Sequence, residues 1–231
     1  MNTISERECV DPYYSFTRHQ WRALVESPLI DFTENDVAHL FGVNEVVSLD
    51  EVFEVYSPLA RLSRLHIEQA KKLHDVSAHF LSRNEPKMPF IIGVAGSVAS
   101  GKSTTSRILR ESLAYDGSLR VKVVGTDGFL LTNKQLQSSN LLDRKGFPES
   151  YDLVALLRFL FDLKSGKTNL SVPIYSHHQY DILPETDEFV GDVDVLILEG
   201  LNILQTGASG VEQQRVFVSD FLDFSVFVDA D

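Results

Sequence analysis

Eight consecutive residues, Gly96-Ser97-Val98-Ala99-Ser100-Gly101-Lys102-Ser103, constrain this chain more than any other stretch. They fit G-x-x-x-x-G-K-[ST], a pattern that arises by chance in a chain of this length about once in a hundred. The context narrows the reading further. The motif follows a near-continuous apolar run, Phe90-Ile91-Ile92-Gly93-Val94-Ala95, and opens a polar segment of helical character from Ser103 to about Tyr115. A strand that turns through glycines into a helix directs successive backbone N–H groups inward around a phosphate, and the helix N-terminus adds partial positive charge. Lys102 supplies a full charge for the β- and γ-phosphates, the Ser103 hydroxyl suits a nucleotide-bound Mg²⁺, and Thr104 closes the ATP-binding stretch. Nucleotide phosphate binding by residues 96–104 is therefore the expectation.

The rest of the chain is patterned around that loop. The segment before it reads as helical. Thr17 can cap a helix in which Trp21, Leu24 and Val25 share a face, and Thr33 opens another with Val37, Leu40 and Phe41. Ser48 and Glu51 have capping-box spacing. Behind them Val52, Val55, Tyr56, Leu59, Leu62, Leu65, Leu73, Val76 and Phe80 form a stripe read as core packing, with a kink expected at Pro58. After Phe90 the period changes. Val121–Gly125, Val193–Leu198 and Phe224–Val228 read as further strands, and Asp152 can cap a helix through Leu163. The expected fold is α/β: a P-loop NTP hydrolase-like, doubly wound, mainly parallel sheet with helices on both faces. An N-terminal helical segment (1–89) is expected to pack on a core formed by 90–231.

Composition sets the remaining bounds. The 231 residues are 43% hydrophobic and 23% charged, as in a soluble globular protein. A net charge of −12 gives no general attraction to nucleic acid or to an anionic membrane, so a bound anion must be held by a local site. No apolar run reaches the length of a membrane span. MNTISERECVDPYYSF has no basic-then-apolar leader, and Cys9 is the single cysteine, which together suggest a reducing, cytoplasmic setting.

A P-loop alone does not separate ATPases, GTPases and small-molecule kinases, so the distinction rests on other strand ends. Asp127, in Thr126-Asp127-Gly128-Phe129 after the second strand, is placed to accept a proton from a substrate hydroxyl; its bland alternative is a turn aspartate before glycine. Glu199, ahead of Gly200, is placed to bind Mg²⁺ or its waters, and otherwise is a solvated strand-end acid. Pro173-Ile174-Tyr175-Ser176-His177-His178-Gln179-Tyr180-Asp181 is too polar for a buried strand and too aromatic for an idle linker. It suits a polar organic substrate or surface decoration equally, and two adjacent histidines do not make a zinc site.

With these residues assembled, the chain resembles the bacterial type-I pantothenate kinases, a branch of the uridine-kinase-like P-loop kinases. The resemblance runs through DPYYSF, QW, YSPLARL, GSVASGKSTTSR, TDGFL, KGFPESYD, LKSG, PIYSHHQYD, LILEGLN and FVSDFLDFSVFVDA. It implies ATP- and Mg²⁺-dependent phosphorylation of (R)-pantothenate to 4′-phosphopantothenate, the opening of coenzyme A synthesis, with coenzyme A as feedback inhibitor. It also implies that Lys102 and Ser103 are the phosphate-binding lysine and metal-linked hydroxyl, and Asp127 the base. Tyr175, His177 and Tyr180 then line the pantothenate and coenzyme A pocket, Arg107 is a basic residue tied to the inhibitor, and the enzyme is a cytoplasmic homodimer. Family members continue past the position of Asp231 with a helix bearing a Tyr and an Arg near the reacting phosphate, then further pocket residues and another strand. The resemblance thus implies a kinase shortened at its C-terminus, with one pocket wall missing and impaired turnover. Uridine kinase or phosphoribulokinase chemistry, and a catalytically impaired nucleotide- or coenzyme A-binding fragment, are the alternatives.

Overall fold

The computed structural model describes residues 13–26, 47–83, 86–206 and 216–229. Six strands run in chain order: β1 (Phe90–Gly96), β2 (Val121–Gly125), β3 (Ser171–Ser176), β4 (Asp181–Phe189), β5 (Val195–Gly200) and β6 (Phe224–Val228). Four of them form a parallel sheet in the order β2-β5-β1-β6, while β3 and β4 pair antiparallel as a separate hairpin. Every residue of β1 is buried, as expected of a central strand with both faces covered. Its alternating side chains divide the core. Ile91 and Ala95 join Val124, Leu196 and Leu198 on one face, under Leu156, Phe159, Leu160 and Leu163. Phe90, Ile92 and Val94 join Val195 and Ile197 on the other, under Ala60, Ile67, Leu109 and Leu113. The period of two in the strands therefore generates the two-sided sheet that the sequence implies.

The helices are α1 (Arg18–Arg22), α2 (Ser57–Phe80), α3 (Lys102–Ala114), α4 (Asn133–Ser138) and α5 (Leu153–Lys164). α5 is capped by Asp152, whose carboxylate accepts from the Ala155 N–H at 2.9 Å. α1 has the expected Thr17 cap, completed by Gln20 in a capping box, but it stops at Arg22, so Leu24 and Val25 lie beyond it. The expected helix of Thr33, Val37, Leu40 and Phe41 falls outside the described residues. Ser48 caps Leu49–Glu51, which leads into α2 through a π-helical turn, Val52–Tyr56. The anticipated disturbance at Pro58 takes this form. A proline ring crowds the carbonyl four residues earlier, and the wider turn, with Ser57 N–H donating to Val52 O, accommodates it. The indole N–H of Trp21 donates to Val55 O in the same turn, at 3.0 Å.

One expectation needs correction. The apolar stripe is core only in its first half. Val52 and Tyr56 are buried, whereas Leu73, Val76 and Phe80 are 69%, 59% and 83% exposed, because α2 outruns the sheet it packs against. The polar-aromatic segment Pro173–Asp181, too polar for a buried strand, is a half-exposed hairpin: the end of β3, a turn, and the start of β4. Its side chains look polar for a strand because the hairpin is covered on one side only. Smaller shifts move the third parallel strand to Val195–Gly200, which brings Glu199 and Gly200 inside it, and move α3 one residue earlier.

Candidate active site

The parallel register puts the chemistry on one edge. Gly125 of β2 lies opposite Glu199 of β5, which lies opposite Val94 of β1. Asp127 and Gly96 each follow that row by two residues. The carboxylates of Asp127 and Glu199 and the P-loop thus rise from the same C-terminal edge, where α/β sheets bind ligands.

Local backbone geometry explains the loop. Gly96 has φ +154°, and a Cβ there would lie 2.4 Å from Val228 O and 2.6 Å from Ser100 Oγ. Gly101 occupies the N-cap of α3 at φ +91°, in the left-handed region, and Ala99 shares that region at +61°. Ser97, Val98 and Gly101 are exposed at the mouth, whereas Ser100 and Thr104 are each 8% exposed and anchor the loop from beneath. Lys102 does not reach outward. Its Nζ donates to Ser97 O at 2.5 Å, folding the ammonium across the loop it serves.

Ser103 and Glu199 are brought together as expected of a metal-linked pair. The Ser103 hydroxyl donates to Glu199 Oε1 at 2.9 Å, and Glu199 Oε2 is buried without a hydrogen-bond partner. A buried, unpartnered carboxylate oxygen beside a hydroxyl is a hard-oxygen donor set that fits Mg²⁺. Arg107, one turn further along α3, donates from Nε to Ser103 O at 3.2 Å, so its guanidinium stays beside this corner.

Asp127 sits in a 3₁₀ turn, Thr126–Phe129, with its Oδ1 accepting from the Tyr151 phenol at 3.4 Å. Burial pushes the Tyr151 phenol well above the usual range; the Asp127 charge and hydrogen bond add to this, and a hydrogen bond with Thr126 offsets part of it. Tyr175 is likewise raised, by burial and then by the charges of Asp127 and Asp181. The hairpin therefore faces Asp127 electrostatically through Tyr175, whose ring meets His177 edge-on at 5.2 Å between centroids. Tyr180 is the outlier of the predicted set. It forms the hairpin turn at φ +50° with its ring 69% exposed, and its carbonyl, not its phenol, is engaged. That carbonyl accepts from Asn133 Nδ2 at 3.0 Å and from Lys145.

Sequence reasoning missed two residues of this constellation. Lys145 places its ammonium 5.1 Å from the Tyr175 ring centroid and donates to Asn133 Oδ1 at 2.7 Å. Tyr151 is the partner of Asp127. Both belong to KGFPESYD, a segment with no periodicity to mark it and with chemistry that appears only once it folds against residues 129–131.

Comparisons with known proteins place the chain in a family. Residues 91–231 match the phosphoribulokinase / uridine kinase family. A pantothenate kinase of Coxiella burnetii is 50% identical over 232 aligned positions, covering 100% of this chain and 73% of that protein. The chain belongs to the pantothenate kinase family. A second pantothenate kinase, from Histophilus somni, is 48% identical with the same coverage. Among solved structures, a putative fructose transport system kinase from Silicibacter sp. TM1040 aligns with a TM-score of 0.52 and 29% identity, over 62% of this chain and 66% of that one. The pantothenate kinase relatives are longer than this chain, and the span they share with it includes the P-loop, Asp127, Glu199 and the hairpin.

Proposed function

We propose that this chain carries the ATP-dependent phosphorylation of the primary hydroxyl of (R)-pantothenate, giving 4′-phosphopantothenate and ADP. The observation that carries the reading is the placing of Asp127 and the Ser103–Glu199 pair on one sheet edge with the P-loop. Backbone N–H groups of residues 96–101 and the Lys102 ammonium hold the triphosphate, and Thr104 braces the loop. Ser103 and Glu199 would hold Mg²⁺, which when bound neutralises charge on the β- and γ-phosphate oxygens. Asp127 takes the acceptor proton, while Tyr175, His177 and Tyr180, with Lys145 beside them, line the acceptor side.

The same reading includes coenzyme A as a competing ligand whose phosphates use this cationic corner with Arg107. It also includes a cytoplasmic location, and a second copy of the chain docked along the exposed half of α2. No helix among the described residues is long and apolar enough to cross a membrane. The test is ADP release by the purified chain. Slow release that depends on pantothenate and not on uridine is the expected result, in keeping with the impaired turnover the resemblance implies, and release with uridine alone would move the assignment to the nucleoside kinases. Binding of ATP by calorimetry, reduced by added coenzyme A, checks the competing-ligand part.

A further inference from the structure

KGFPESYD (145–152) folds back against residues 129–131, beside Asp127. Leu130 and Tyr151 form an antiparallel bridge, with Leu131 N–H donating to Ser150 O at 2.8 Å and Asp152 N–H to Phe129 O at 2.7 Å. On the far side Asp152 is fixed as the cap of α5. On the near side Ser150 Oγ donates to Phe147 O at 2.7 Å and accepts from Gly146 N–H at 2.9 Å. Tyr151 is therefore anchored before, at and after its own position, and its side chain is 8% exposed. From that mount the phenol meets Asp127, 24 residues earlier in the chain, at Oδ1.

A carboxylate that serves as a base has two oxygens and free rotation about its last bond. A donor held at one oxygen selects a rotamer and leaves the other oxygen for substrate. We propose that Tyr151 is a positioning residue for phosphoryl transfer, its phenol fixing the Asp127 carboxylate so that the second oxygen stays directed at the acceptor hydroxyl. The inference rests on the reading of Asp127 as the base. In the step it serves, the acceptor O–H bond breaks and its proton passes to the Asp127 oxygen that Tyr151 does not hold. The acceptor oxygen bonds to the γ-phosphorus as the bond from phosphorus to the β–γ bridging oxygen breaks, and that electron pair leaves with ADP. Tyr151 neither gains nor loses a proton. Burial and the neighbouring carboxylate keep it in the neutral, donating form.

Two measurements decide the matter. The first needs no turnover: tyrosine labelled with ¹³C at ring Cζ is introduced, the Tyr151 resonance is assigned through its backbone, and its Cζ shift at about pH 7 is compared in the native chain and in Asp127→Asn. The expected result is a displaced Cζ resonance in the variant, because the phenol loses its charged acceptor. An unmoved resonance means that the two side chains are not coupled in solution and overturns the proposal. The second is the rate of pantothenate phosphorylation by Tyr151→Phe, which keeps the ring and removes the hydroxyl. A kcat about tenfold lower with an unchanged KM for ATP is expected, and a native kcat in a variant of native melting temperature overturns the proposal. If Tyr151→Phe fails to fold, the ¹³C comparison still decides. If Asp127→Asn turns over normally, the general-base reading fails; if Asp127→Asn is crippled while Tyr151→Phe is native, only the positioning role fails.

Discussion

Lys102 shows how much one side chain depends on a loop that is already formed. With its ammonium on Ser97 O, the cation lies over the loop, and the proposed function requires a phosphate oxygen to replace that carbonyl when nucleotide binds. A charge-assisted hydrogen bond contributes about 1.5–3 kcal/mol. Lys102→Met is therefore expected to weaken ATP binding about ten- to a hundredfold by calorimetry while leaving the melting temperature near native, since the side chain is only half-buried and its ammonium bonds a loop carbonyl. Unchanged affinity would mean that the lysine never leaves Ser97. The residues of the loop were readable from sequence because their spacing is local: two glycines, a lysine and a hydroxyl within eight positions. Tyr151 and Lys145 were not. Their meaning lies in contacts with Asp127 and with Tyr175 that the chain forms only by folding back. Tyr180 enters the reading through the resemblance, and its engaged backbone carbonyl, which fixes the hairpin turn, is a contact that no sequence pattern announces.

At the level of elements, the same contrast separates strands from their surroundings. Phe90–Gly96 announces itself by continuous apolarity, but the β3–β4 hairpin is masked by charged and aromatic residues on its open side. The two helices that pack against one face of the sheet are also tied to each other, from the second turn of α2 to the C-terminal end of α3. Arg64 of α2 donates to Asp116, just beyond α3, at 2.6 Å and to Leu113 O at 3.0 Å, while the Ser118 hydroxyl donates to the same carboxylate at 2.6 Å. Arg64, then Ser118 through side chain and backbone, hold Asp116 well below the usual carboxylate range. A depressed folded pKa means that the folded chain keeps this group ionised where the unfolded chain would protonate it. The contribution is thus present above the unfolded value of about 3.9 and fades as pH falls through the folded value. Asp116→Asn is expected to lower the melting temperature at pH 6 and to flatten its decline between pH 4 and pH 2.5. Equal slopes for the two proteins in that window would show that the pair does not form in solution. Asp116 is well exposed, so added salt should shrink the difference.

Across the whole molecule, the two-sided sheet was legible because strand and helix periods alternate, whereas strand order was not, since no local signal says that β5 enters between β1 and β2. The long helix gave the one misjudgement of scale. Its stripe continues past the point where the sheet stops, and an apolar period in sequence cannot reveal whether the covering surface belongs to the same chain. Leu73, Val76 and Phe80 follow one another at spacings of three and four, the seam of a helix that packs against another helix. Such a seam left in water favours association, but each copy carries a net charge of −12, and two copies repel. These terms respond oppositely to salt: screening shortens the range of repulsion, and apolar contact is left in place. Self-association seen by sedimentation velocity is therefore expected to strengthen between about 0.05 M and 0.5 M NaCl, where the Debye length falls from about 14 Å to about 4 Å. Leu73→Asp combined with Phe80→Asp is expected to give a monomer at both salt concentrations, with ATP binding retained because the seam is remote from the P-loop edge. A dimer that dissociates in high salt, or that survives the double substitution, would place the contact on charged surface elsewhere and leave this seam to another partner.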